Sequence, residues 1–448
     1  MLKYTKLMNE IELRIKNGEI RPSQPLPSIR ELSSAHACSK STVIRAYAEL
    51  EKRHLIYSIP QSGYYVVQRK SDSKNHARQS VMDFSSAAPD PEVFPYLDFQ
   101  HCINKAIDTY KNELFQYGTS QGLPSLLNIL TRHLANYQVF TDANAIFVTS
   151  GIQQALSILA TMPFPNGKQT VLLEQPSYHL FIEFLEYHHI PARGIKRTAN
   201  GIDLNELEHL FRTGDIKFFY TMPRFQNPLG TSFDLQTKKA IADLAKRYDV
   251  YIVEDDYLAD LENDSKADPI YAYGSSHVIY LKSYSKILFP GLRVGAAVLP
   301  TCLHEDFRMH KKLSDIDSPM LSQAALEIYI QNGMFERHKQ KIKNSYYQRL
   351  QLLMKALTTE NDTNCIQHAI VAAGVHTHLI LPSEMNIETL IMKLKKKQVI
   401  LETPKQQYLA GFDEQQLLLK LSVTRIEKKH IEAGVRMIFE EIRKQLPK

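Results

Sequence analysis

The sequence predicts an α/β protein in two parts: a small, basic, mostly helical N-terminal unit and a large C-terminal domain on a largely parallel sheet. Three observations predict this. Beyond residue 82, short apolar runs rich in Val, Ile, Phe and Tyr alternate with helical segments, as strands joined by crossover helices do. The first 67 residues carry three short helical patterns and two strand-like runs. Charge is uneven: residues 1–80 hold 14 Lys/Arg against 7 Asp/Glu, while the rest holds 40 against 41, so the net +6 belongs to the N-terminal sixth. Such asymmetry points to nucleic-acid contact, although a solvated basic face would look the same.

The N-terminal elements follow in order. Tyr4, Leu7, Met8, Ile11 and Ile15 share one face of a first helix. Pro22, Pro25 and Pro27 end that pattern. Ser28-Ile29-Arg30-Glu31 is a capping box that starts a short second helix. Ser39 reads as the N-cap of a third, whose apolar face is Val43, Tyr47 and Leu50. Two helices about a short turn read as helix-turn-helix. Strands are expected over 55–58 and 64–67, around the turn Pro60-Gln61-Ser62-Gly63, which completes a winged helix. The third helix presents Lys40, Ser41, Thr42 and Arg45 near the end that enters the major groove in such motifs. Polar, aperiodic sequence follows. The expected division is 1–68 winged helix, 69–81 linker and 82–448 effector domain.

At 448 residues there is material for a large core. The four cysteines lie far apart with no C-x-x-C pair, so neither a disulfide framework nor a metal site is expected, and a reducing cytoplasm fits. Charges throughout the first twenty residues exclude a signal peptide there, and no apolar run approaches membrane-spanning length. No internal repeat is present. The run Lys395-Lys396-Lys397 reads as a solvated helix end.

In the large domain, chemistry-bearing residues recur just past the strand-like runs, the edge where open α/β sheets bind ligands. After 145–149 comes Ser150-Gly151-Ile152-Gln153, a glycine turn opening a helix, which offers N–H groups to a phosphate. After 171–173 comes Tyr178, a ring for stacking or for packing in the core. After 218–221 comes Asn227, either a turn starter or an amide donor. After 250–253 come Glu254, Asp255, Asp256 and Tyr257; three acids at a buried strand end are costly unless partnered, while a solvated loop would hold them freely. After 278–281 come Ser283, Ser285 and Lys286, then Arg293 within Pro290-Gly291-Leu292-Arg293-Val294-Gly295. A lysine desolvated there becomes a neutral amine capable of Schiff-base chemistry.

The Ser283-x-x-Lys286 and Gly291-x-Arg293-x-Gly295 segment resembles the pyridoxal-phosphate (PLP) lysine region of fold-type I aminotransferases, and all five strand-end motifs match that pattern in order. The resemblance implies an aminotransferase-like domain with a small C-terminal α+β subdomain and pyridoxal 5'-phosphate as cofactor. It implies that Lys286 forms the internal aldimine, Asp255 pairs with the pyridine nitrogen, and Asn227 and Tyr257 hold the phenolic oxygen. Tyr178 then stacks on the ring, while Ile152, Gln153, Ser283 and Arg293 bind the phosphate. Tyr117, in Phe115-Gln116-Tyr117-Gly118-Thr119-Ser120-Gln121-Gly122, resembles the tyrosine that reaches a partner's phosphate, which implies a homodimer. The stretch from Leu26 to Val67 resembles the GntR-type signature and implies DNA contacts from Ser28, Arg30, Ser39, Lys40, Thr42 and Gly63. The order of parts resembles the MocR subfamily of bacterial regulators.

One departure bears on function. Aminotransferases of this pattern carry an arginine for the substrate carboxylate in a late strand, whereas this chain has Lys420 there, or Leu419 if the alignment slips by one. A lysine keeps the charge without the bidentate fork. The leading expectation is therefore a PLP-binding transcription regulator that senses PLP or an amine or amino acid through aldimine chemistry. The second is a PLP-dependent aminotransferase with an accessory DNA-binding domain; a regulator without the cofactor is the third.

Overall fold

The computed structural model describes residues 3–20, 25–52, 55–59, 63–66, 81–86, 88–90, 93–264, 267–361, 366–402 and 407–446. Pro22, the turn residues 60–62, the expected linker through residue 80 and Cys365 lie outside them. The chain divides into two compact units, Met1–Gln79 and Ser80–Lys448.

The N-terminal unit is a winged helix. Helix α1 (Lys3–Lys16) buries Leu7, Met8 and Ile11 as its periodicity predicts. Helix α2 (Ile29–Ala35) starts at a capping box: the Glu31 amide donates to Ser28 Oγ, and the Ser28 amide donates to Glu31 Oε2. Ser39 Oγ accepts from the Thr42 amide at the start of helix α3 (Lys40–Lys52). Val43, Tyr47 and Leu50 of α3 are fully buried, and the Tyr47 hydroxyl donates to the Pro27 carbonyl at 2.6 Å. Strands β1 (Ile56–Ile59) and β2 (Gly63–Val66) pair antiparallel as the wing, one residue from their expected bounds. Gly63 sits at φ 107°, a backbone region that suits glycine.

The second unit begins with β3 (Met82–Asp83). Its main sheet has seven strands: β4 (Ile146–Thr149), β5 (Thr170–Gln175), β6 (Ala192–Lys196), β7 (Ile216–Thr221), β8 (Tyr251–Asp255), β9 (Val278–Ser283) and β10 (Gly295–Val298). They run in the order β4-β10-β9-β8-β7-β5-β6, with β10 alone antiparallel to its neighbours. Helices cover the sheet, so β4, β7, β8 and β9 are buried along their whole length. Helices α4 (Tyr96–Tyr110), α5 (Pro124–Ala135), α6 (Ile152–Thr161) and α7 (His179–Tyr187) contribute to that core.

Three strands extend further than the sequence predicts. Glu174 and Gln175 belong to β5, Glu254 and Asp255 to β8, and Lys282 and Ser283 to β9. Their side chains find buried partners, so the ladder continues past the last apolar residue.

The C-terminal subdomain has its own core. Strands β11 (Gln367–His368), β12 (His376–Leu381) and β14 (Leu417–Ser422) form an antiparallel sheet, while β13 (Val399–Ile400) pairs with β3 in parallel. The helices Met334–Glu360, Ile387–Lys396 and Ile431–Arg443 pack on them. Lys395 and Lys396 close the last turn of their helix, as expected of that basic run.

Candidate functional site

The parallel order of β5, β7, β8 and β9 sends their C-terminal ends to one edge. There a cleft of about 200 Å³ opens. Ser283, Ser285 and Lys286 reach it from the end of β9, Asp255 and Tyr257 from β8, and Met222 and Asn227 from β7. Tyr178 enters after β5, Gly151, Ile152 and Gln153 after β4, and Pro290 and Arg293 from the turn before β10.

The three acids of the β8 end are buried and separately partnered. Glu254 accepts from the Ile270 and Tyr271 amides at 2.9 Å each. Asp256 pairs with the Arg224 guanidinium and accepts from the Tyr280 hydroxyl at 2.8 Å. Asp255 Oδ2 accepts from the Tyr220 hydroxyl at 2.8 Å, but its buried Oδ1 takes no hydrogen bond. Burial pushes the Asp255 carboxyl up to about 7, with the Asp256 charge adding to it and the Tyr220 bond and Lys286 opposing. A cationic N–H donor at Oδ1 would reverse that shift.

Lys286 is partly buried at the cleft wall. Desolvation lowers its ammonium pKa first and Lys420 second; the carboxylates of Asp255 and Glu402 oppose them. The ring of Tyr178 borders the same space, and burial raises its phenol to about 12. Asn227 Oδ1 and Ser285 Oγ are also buried without a hydrogen-bond partner. The Tyr257 hydroxyl donates to the Phe225 carbonyl at 2.6 Å, which holds that ring at the cleft.

The opposite end suits an anion. Gly151 precedes α6 at φ 88°, and no side chain caps that helix. First-turn N–H groups and the helix dipole therefore serve the cleft. Arg293 stands at φ 54° and donates from Nη2 to the Ser150 carbonyl at 2.5 Å. A Cβ on Gly151 would meet that nitrogen at 2.6 Å, and the positive φ of Gly151 favours glycine in any case. Ser283 Oγ accepts from the Ser285 amide at 3.3 Å. Gln153 lines the cleft while its Nε2 reaches the Leu180 carbonyl at 3.5 Å.

Tyr117 is not in the cleft: it is 83% exposed. Its loop is pinned by the Gly118 amide on Asp317 and by Gln121 Nε2 on the Ala143, Asn144 and Ile146 carbonyls. Phe115, Ile316 and Leu321 near this loop are likewise exposed.

Leu419 and Lys420 face opposite sides of β14. Leu419 is packed in the subdomain core, and the nearly buried Lys420 pairs with Glu402. Strand alternation thus places the ammonium, not the leucine, on the side that influences Lys286. Sequence reasoning missed Tyr220, Met222, Ser285 as an individual contact, Glu402 and His376. Tyr220 carries the one signal that could have found it, a hydroxyl inside the otherwise apolar Phe218-Phe219-Tyr220 run. His376 is buried against the Gln226 carbonyl at 3.1 Å, and burial lowers its imidazole to about 3.

In the N-terminal unit, Ser28, Arg30, Ser39, Lys40 and Gly63 are exposed and Thr42 is half-buried. Ser39 Oγ also meets the Ser41 and Thr42 hydroxyls at 2.8 Å. The exposed Arg45 lays its guanidinium over the Tyr4 ring at 4.3 Å, so one face of it rests on α1.

Two family models match the chain: bacterial regulatory proteins, gntR family, over residues 3–66, and aminotransferase class I and II over residues 79–404. The chain is 53% identical to an uncharacterized HTH-type transcriptional regulator, YcxD, of Bacillus subtilis, over 99% of this chain and all of that one. It is 26% identical to aromatic-amino-acid aminotransferase 1 of Thermococcus litoralis, over 82% of this chain and 89% of that one. Among solved structures it resembles the kynurenine aminotransferase of Pyrococcus horikoshii, with a TM-score of 0.74, 25% identity and coverage of 83% of this chain and 93% of that one.

Proposed function

This chain belongs to the GntR-type transcriptional regulators that carry an aminotransferase class I and II domain, and from that premise we propose that it binds DNA under the control of pyridoxal 5'-phosphate held in the C-terminal cleft. The observation that carries the cofactor reading is the buried, unbonded Oδ1 of Asp255 at one end of the cleft, with the uncapped α6 N-terminus at the other. A protonated pyridine nitrogen fits the first and a phosphate the second.

When bound, PLP supplies an aldehyde that condenses with amines and a ring that withdraws electrons. Asp255 would hold the ring N–H, and Tyr178 would cover one ring face. Asn227 and Tyr257 would border the phenolic oxygen. The amides of Ile152 and Gln153 would hold the phosphate, together with Arg293, Ser283 and Ser285. Lys286, its ammonium weakened by burial, would present its amine to the aldehyde carbon. A second copy of the chain would seat Tyr117 and the neighbouring apolar residues, which supports a homodimer. Ser28, Arg30, Ser39, Lys40, Thr42 and Gly63 would contact DNA, with the N-terminal end of α3 in the major groove. Arg45 would approach it from the Tyr4 ring.

The test is an absorbance titration with PLP, read beside DNA binding in the same samples. The wild type develops a visible band and changes its DNA affinity; Lys286→Ala develops none. A wild-type spectrum indistinguishable from that of Lys286→Ala would overturn the cofactor reading. Sustained multiple turnovers with an amino donor and a keto acid would instead favour an aminotransferase with an accessory DNA-binding domain.

A further inference from the structure

Among the described residues, three cations bear on the cleft or on the lysine at its wall. Lys286 is the amine at its wall, and Arg293 is turned toward the α6 end, where it holds the Ser150 carbonyl. Of these described residues, Lys420 is the one left for an acidic group on a ligand seated at Lys286. Its setting is specific. β14 pairs with β12, placing Lys420 across from His378 and Ser422 across from His376. His376 bonds the Gln226 carbonyl, and a Cβ on Gly230 would strike the His376 carbonyl at 2.3 Å, so this end of β12 lies tight against the loop carrying Asn227. Lys420 therefore stands on the ligand side of the subdomain. Its ammonium is already engaged by the carboxylate of Glu402, two residues past β13, and their side chains are 7% and 23% exposed.

We infer that Glu402 is a built-in carboxylate filling the anion position beside Lys286, so that this site takes primary amines without an adjacent carboxylate in preference to α-amino acids. An amino acid meets a neutralised pair. Its carboxylate reaches Lys420 only in competition with the Glu402 carboxylate already paired there. An amine without the carboxylate asks for no such exchange. Both charges act on Lys286 as this placement requires, Lys420 disfavouring its ammonium and Glu402 favouring it.

The preference rests on the cofactor reading above; the occupancy of Lys420 does not. Propylamine and L-2-aminobutyrate differ only in the carboxylate. Titrated into PLP-loaded wild type, propylamine should perturb the cofactor band at a concentration lower by at least about tenfold, and this comparison needs no variant. In Glu402→Gln the order should reverse. Cofactor-free protein is titrated calorimetrically with propionate in parallel. Glu402→Gln should bind it at least about tenfold more tightly than wild type, and Glu402→Gln/Lys420→Gln should lose that gain. Equal or better binding of L-2-aminobutyrate by wild type, or propionate affinity unmoved by Glu402→Gln, overturns the inference. A wild type that takes up no PLP ends the cofactor reading, and the propionate titration then decides the role of Glu402 alone.

Discussion

Asp255 illustrates what one side chain contributes. Its carboxyl sits at about 7 in the folded protein, against about 3.9 in an unfolded chain. Between those values the folded state holds a proton that the unfolded state has released. Stability from this group is therefore highest below about pH 4, falls as pH rises to about 7, and stays lost above that. The slope is at most about 1.4 kcal/mol per pH unit. The difference in urea midpoint between cofactor-free wild type and Asp255→Asn should therefore change between about pH 5 and pH 7, wild type losing ground to the variant as pH rises. Glu254, also pushed up to about 7 by burial and by Asp256, acts in the same direction, while His376, lowered to about 3 by burial, acts in the opposite one. Three adjacent acids after an apolar run signalled that partners were needed, but not which. Tyr220, Arg224, Tyr280 and the Ile270 amide come from other strands and turns, and a local pattern holds no record of them.

Elements were legible wherever spacing or a cap set them. The faces of α1 and α3, the Ser28–Glu31 box and the Ser39 cap all formed as their patterns require. Strand ends were less so, because Glu174, Lys282 and Asp255 look like loop residues until their buried partners are known. The winged helix has a small core, so α3 tolerates little loss. Leu50→Ala, at a fully buried position, should destabilise that unit by about 2–5 kcal/mol. Denaturation followed by DNA binding should show the loss, while the PLP band, reporting on the other unit, should keep the wild-type denaturation midpoint.

For the whole molecule, the order of parts was legible from charge and from the alternation of strands and helices. The subdomain's tie to the start of its unit was not: β3 pairs with β13 across more than 300 residues. Assembly belongs to this scale too. Tyr117 is exposed on a loop fastened to its own subunit, so Tyr117→Ala should leave folding intact. In a homodimer that shares the residue, the variant should retain PLP less well on dialysis. Sedimentation and band intensity measured together check this, and unchanged retention in a dimer counts against a cross-subunit role.

The strand that opens the C-terminal unit has a mechanical consequence. The Met82 and Phe84 amides donate to the Gln398 and Ile400 carbonyls, and the Ser422 amide donates to the Phe84 carbonyl. Residues Met82–Phe84 are thus knotted to β13, which precedes Glu402, and to the end of β14 that carries Lys420, with one of these bonds two residues from that lysine. A ligand that displaces Glu402 from Lys420 is therefore expected to act on these backbone bonds as well. Loosening the knot with Phe84→Ala, a fully buried ring, should leave PLP uptake and operator affinity each measurable but weaken the response of one to the other.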